Sequence, residues 1–217
     1  MEQEKLVLTK NKFLVHVWIP VVFALIAVIV AAVFSMFAFQ DFITSYTVSK
    51  DKNKVVINTE CTLSDYEGES IALSDVEFPT NNCAFGEIEI KSAGIKCPLF
   101  LGNSDEVFDN GAGLYIGSSI PGYGKTSLIS AHNNSFFKGL ETVGNDDEIL
   151  VRTTYGVYRY KVSKTGIYQN DDPSAYAQAE DNSLVLYTCY RRFGTIGKTT
   201  DRFFVHATLV SGPVIEK

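Results

Sequence analysis

The chain has 217 residues, 46% of them hydrophobic and 20% charged, with 25 acids against 19 lysines and arginines. That balance excludes a collagen-like, low-complexity or globally disordered chain. A net charge of −6 argues against a general nucleic-acid binder, which needs a concentrated cationic surface.

From Val17 to Phe39 no charged residue occurs. As a helix this stretch would reach about 35 Å against a hydrocarbon core of about 30 Å. It exceeds the apolar core of a signal peptide, typically about 7–15 residues, so it reads as a retained single-pass anchor, with a cleaved signal as the alternative that the small residues Ala31, Ala32, Ser35 and Ala38 leave open. Lys10 and Lys12 lie closer to it than Lys50, Lys52 and Lys54 do, which favours a cytoplasmic leader over 1–16 and export of residues 40–217. On that topology His16 is separated from any extracytoplasmic site.

Residues 40–84 are polar and acidic with apolar islands at Val55–Ile57 and Ile71–Leu73, and read as a stalk or N-terminal appendage with a short helix near Leu73–Val76. Gly86–Ile90 alternates polar and apolar residues as a half-buried strand does. Ile95–Leu101 is a second strand, in which Pro98 demands an edge or bulge position. Glycines 111, 113, 117, 122 and 124 with Pro121 form turns, not a phosphate loop: Ser119 stands where GxxxxGK[ST] needs its first glycine.

Ser127–Ala131 is a short strand running into His132 and the polar Asn133-Asn134-Ser135. Phe136–Val143 supplies about one helical turn. Glu148–Tyr155 and Val157–Val162 pair as a hairpin about Gly156. Thr165–Asn182 reads as a long loop with a short helix opening at Pro173 and continuing through Ala179. Leu184–Cys189 and Phe203–Val210 are the last strands. Many short strands, few helices and glycine-rich turns indicate an all-β barrel or sandwich.

The four cysteines, Cys61, Cys83, Cys97 and Cys189, lack zinc-site spacing, and they allow two bridges or one bridge and two thiols. Cys189 ends a strand and precedes Arg191, Arg192 and Arg202, and cations favour the reactive thiolate. A cysteine, a histidine and an arginine suit acyl transfer: sulfur attacks a carbonyl, imidazole manages the amine proton, and guanidinium steadies the oxyanion.

The segments Phe85–Ile90, Pro121-Gly122, Leu128–His132, Leu184–Cys189 and Arg202–Val205, in that order behind an N-terminal anchor, resemble the sortases over roughly residues 85–212. Sortases are membrane-anchored cysteine transpeptidases of Gram-positive surfaces. The resemblance implies a closed eight-stranded β-barrel with short helices, with 213–217 as a tail. It implies Cys189 as nucleophile, His132 as general acid/base, Arg202 as oxyanion and substrate clamp, and Ser130, Tyr187 and Thr188 lining the peptide groove. The implied reaction cleaves an LPxTG-like sorting signal between Thr and Gly through a thioester and passes the surface protein to a peptidoglycan precursor or cross-bridge amine. The loop at 165–182 falls where the family reads its signal.

Cys189-Tyr190 and Arg202–Val205 look most like class D. Val185 replaces the first Thr of the family's TLxTC pattern, and Arg191-Arg192 stands where Pro-Phe is common. The absence of a DPW- or DPF-type lid motif and of a second membrane segment argues against class C. No cofactor is implied. Calcium would need a ligand loop that Asp171, Asp172, Glu180 and Asp181 do not form. A catalytically silent surface binding module is the alternative, and it would bury Cys189 and turn His132 and Arg202 elsewhere. A papain-like peptidase expects cysteine before histidine, the reverse of this chain.

Overall fold

The computed structural model describes residues 18, 20–33, 35, 56–176, 181–191 and 199–216. The leader, residues 40–55, the expected helix end at 177–179 and Arg192 lie outside the described residues. The chain divides into two compact units, 1–54 and 55–217. In the first, residues 20–33 are helical with their side chains exposed. Among the described residues no helix is long and apolar enough to cross a membrane. Of the span expected over 17–39, residues 17, 19, 34 and 36–39 lie outside the described residues.

The second unit is built on ten strands: β1 Ser70–Ala72, β2 Ala84–Ile90, β3 Ile95–Leu101, β4 Ala112–Leu114, β5 Ser127–Ser130, β6 Glu148–Thr153, β7 Val157–Gln169, β8 Leu184–Cys189, β9 Asp201–Ser211 and β10 Val214–Glu216. Eight of them close a barrel in the order β2-β3-β4-β5-β8-β9-β7-β6. Closure removes the unpaired edges that an open sheet would present. Inward-facing residues such as Ile88, Leu99, Ile129, Val151, Tyr160, Leu184, Leu186 and Val205 fill the interior.

Pro98 fits because β3 gains its second partner, β4, only at Leu99, so at Pro98 the strand borders β2 alone. The three-residue β4 lies within the glycine cluster that reads as turns. Its Gly113 pairs with both Phe100 and Ser130, and a Cβ there would collide with the Gly102 carbonyl oxygen. Here glycine serves close backbone approach inside a sheet, which turn composition does not reveal.

Two further elements depart from the sequence reading. β7 runs to Gln169, so the expected loop from Thr165 begins as strand. Its second half pairs residue by residue with β9, from Lys164↔His206 to Gln169↔Asp201, beyond a register shift after Val162. That half is mostly exposed, so it lacks the alternation that marks a half-buried strand. The other is the parallel pair of β1 with β10, from Ser70↔Val214 to Ala72↔Glu216.

Residues 56–69 are tied to the barrel by backbone bonds from Ala84 N–H to the Asn58 carbonyl (2.8 Å), Ser64 N–H to Thr153 (2.9 Å) and Val157 N–H to Tyr66 (2.9 Å). A surface ion pair, Arg159 to Glu67 at 2.9 Å, adds to them.

All four cysteines are free thiols. Burial pushes the Cys97 thiol up to about 12, which keeps it protonated and unreactive. His206 is shifted the other way, below the ordinary imidazole value, first by burial and then by Lys164.

Candidate active site

Three adjacent barrel strands, β5, β8 and β9, end at one place. Leu184 and Leu186 of β8 face the interior together with Phe203 and Val205 of β9. By strand alternation Tyr187, Cys189, Arg202 and Phe204 then share the outer face. Cys189 is the direct cross-strand partner of Arg202. Directly opposed residues of an antiparallel pair hold their Cβ atoms about 4.5–5.5 Å apart, so the twelve residues of intervening chain do not keep these two side chains apart.

β5 runs parallel to β8 with Ser130 opposite Tyr187. Two residues further along, His132 comes level with Cys189 on the same face. The backbone there is fixed from two sides. The Thr188 hydroxyl, buried, donates to the Ala131 carbonyl at 2.7 Å and so joins the residue before the cysteine to the residue before the histidine. Beyond His132 the chain turns back, and its carbonyl accepts from Phe137 N–H at 3.0 Å, with the Phe137 ring fully buried as the anchor of that turn.

His132, Cys189 and Arg202 line a single cavity of about 210 Å³, together with Ser130, Tyr187 and Thr188. Cys189 and Arg202 are half-buried, as is His132. Arg202 Nη1 donates to the carbonyls of Thr199 at 3.1 Å and Asp201 at 3.0 Å, which orients the guanidinium plane. Its neighbour Asp201 accepts from the Gln169 amide and steadies the start of β9.

The far wall of the cavity holds residues that sequence reading did not single out: Asn103, Asp105 and Phe108. Asp105 and Phe108 belong to a one-turn helix, Asp105–Phe108, which Asn103 precedes and whose start is capped by the Ser104 hydroxyl accepting from Val107 N–H. Phe108 meets the His132 ring in a T-shaped contact at 5.4 Å between centroids. The available signal was Asn-Ser-Asp ahead of an apolar pair, a helix-start pattern too short to stand out.

Along the same outer face a buried apolar cluster lies beside the site. Leu128, Val185 and Phe204 pack with Ala175 of the turn Pro173–Tyr176, and Tyr187 stacks on Phe204 at 5.3 Å. The site thus sets a sulfur nucleophile, an imidazole and a planar cation in one cavity, an arrangement suited to capturing an acyl group from a peptide. Among the described residues no group of three or more His, Cys, Asp or Glu side chains is placed to hold a metal ion.

Thr188→Val should lower kcat for peptide cleavage roughly tenfold with KM little changed, because a small displacement of the two strand ends is costly in catalysis. The orphaned Ala131 carbonyl should also cost about 1–3 kcal/mol of stability. Steady-state kinetics beside thermal unfolding check this, and Thr188→Ser should restore both.

A closed barrel with cysteine, histidine and arginine at the ends of adjoining strands defines the class to be sought among cysteine acyltransferases. The sortase-domain family model matches residues 88–210, and the chain belongs to the sortase family. It is 27% identical over 134 residues to sortase D of Bacillus subtilis (strain 168), covering 61% of this chain and 67% of that protein. Among solved structures it is similar to the sortase D5 transpeptidase of Clostridium perfringens, with a TM-score of 0.55, 23% identity, and coverage of 61% of this chain and 82% of that one. It is also similar to sortase C from Clostridium perfringens SM101, with a TM-score of 0.54, 25% identity, and coverage of 61% and 72%. The chain is a class D-like sortase and, as such, a cysteine transpeptidase.

Proposed function

We propose that this chain cleaves an LPxTG-like sorting signal between Thr and Gly and transfers the surface protein to a peptidoglycan precursor or cross-bridge amine. Cys189 attacks the threonyl carbonyl. Arg202 stabilises the oxyanion, and His132 delivers a proton to the departing glycine amine. The resulting thioester is resolved by the incoming amine, which passes a proton back to His132 as the C–S bond breaks. Ser130, Tyr187 and Thr188 line the peptide's path. The N-terminal segment anchors the enzyme, with residues 40–217 outside the cell.

The observation that carries this reading is the common cavity of His132, Cys189 and Arg202, assembled from three neighbouring strands. The full chain, incubated with an LPxTG-type peptide library, should show by intact mass an acyl adduct on Cys189. Adding an amine should convert that adduct to an aminolysis product. A library that is cleaved with no adduct on Cys189 would overturn the mechanism.

A further inference from the structure

Among the described residues one acidic side chain lines the cavity that holds His132, Cys189 and Arg202, and it belongs to Asp105. Asp105 opens the one-turn helix Asp105–Phe108. Phe108, three residues on and so on the same helix face, packs on His132. The start of that helix does not use the Asp105 side chain. The Ser104 hydroxyl accepts from Val107 N–H, and the Glu106 carboxylate is held by its own backbone N–H and by Ser104. Asp105 is exposed, and no hydrogen bond or ion pair among the described residues engages its side chain.

A donor peptide in this cavity therefore meets two charges of opposite sign, Arg202 on the strand side and Asp105 on the helix side. Arg202 is committed: Nη1 donates to the Thr199 and Asp201 carbonyls, and its remaining donors serve the oxyanion. Asp105 has no such commitment. The Leu, Pro, Thr and Gly of an LPxTG-like signal carry no charge, so x is the position at which a carboxylate can discriminate between signals. That residue is joined directly to the threonine that Cys189 attacks, about 3.3 Å along an extended chain. A side chain as long as arginine or lysine reaches across the cavity from there while keeping its charged head in water. A glutamate at x meets a like charge instead.

We infer that Asp105 is a specificity-determining residue for the donor, and that it favours signals with arginine or lysine at x over signals with glutamate. This rests on the transpeptidase reading above. The pair is open to solvent, so the selection is modest and sensitive to salt.

The test offers the full chain two LPxTG-type peptides at once, identical except for arginine, glutamine or glutamate at x. Arginine is chosen because it brings no nucleophilic amine of its own. Depletion of each peptide is followed by chromatography with mass spectrometry. The ratio of the two rates is a ratio of kcat/KM internal to each preparation, so a partly unfolded variant does not disturb it. At low salt arginine should be used roughly threefold faster than glutamine and roughly tenfold faster than glutamate, the scale of one exposed ion pair and one exposed like-charge pair. Both margins should shrink at about 1 M salt. Asp105→Asn should bring the arginine-to-glutamate ratio to about one, Asp105→Lys should invert it, and Asp105→Glu should keep it. Equal use of the three peptides by the unaltered enzyme, or a preference that both Asp105→Asn and Asp105→Lys leave in place, overturns selection by Asp105 while leaving the thioester mechanism standing. Cleavage without an acyl adduct on Cys189, or no cleavage of any of the peptides, overturns both together.

Discussion

Replacing Cys189 by alanine is expected to abolish turnover of the sorting peptide, with a fall in kcat of at least about 10⁴-fold and no acyl adduct detectable by intact mass. The reason is chemical. Thr188 is buried with its hydroxyl committed to the Ala131 carbonyl, and no other thiol lines the cavity among the described residues. Cys97 is buried, and Cys61 and Cys83 line a separate cavity beside Phe78 and Phe85. The side chain is half-buried at a strand end, so its loss should perturb folding little, and an unchanged thermal midpoint would separate lost chemistry from lost structure. Normal cleavage by Cys189→Ala would remove the thioester from the mechanism.

Arg202→Lys should be nearly as damaging although charge is conserved, with a fall in kcat/KM of about 10²–10³-fold, the scale of removing one oxyanion donor. The fork holds its plane through Nη1, which donates to two carbonyls, and it carries three further donors on Nη2 and Nε. An ammonium on a flexible stem has no such plane, so engaging the Thr199 and Asp201 carbonyls no longer aims the remaining donors. Rates close to normal, measured on the same peptide, would dismiss the clamp role.

The resemblance to sortases was legible because several separated segments occur in the right order, from Phe85–Ile90 through Leu128–His132 and Leu184–Cys189 to Arg202–Val205. The strands that carry most of the site, β5, β8 and the first half of β9, were equally plain. Each is a run of apolar residues bounded by polar turns, and burial on the barrel wall demands that composition. The elements that escaped notice are too short or too exposed to show such a run. β4 is three residues among glycines, the end of β7 is mostly exposed, and the helix Asp105–Phe108 is a single turn. Their positions follow from partners distant in the chain.

The sequence alone therefore settled the all-β class and the residue types available for acyl transfer, which local composition records, while the order of its segments carried the resemblance to sortases that implied the barrel. Only the tertiary structure decided that Cys189 stands opposite Arg202, that Phe108 packs on His132, and that Asp105 lines the same cavity as that sulfur. Register between strands is set by long-range pairing and by which face the barrel buries, and no local pattern encodes it.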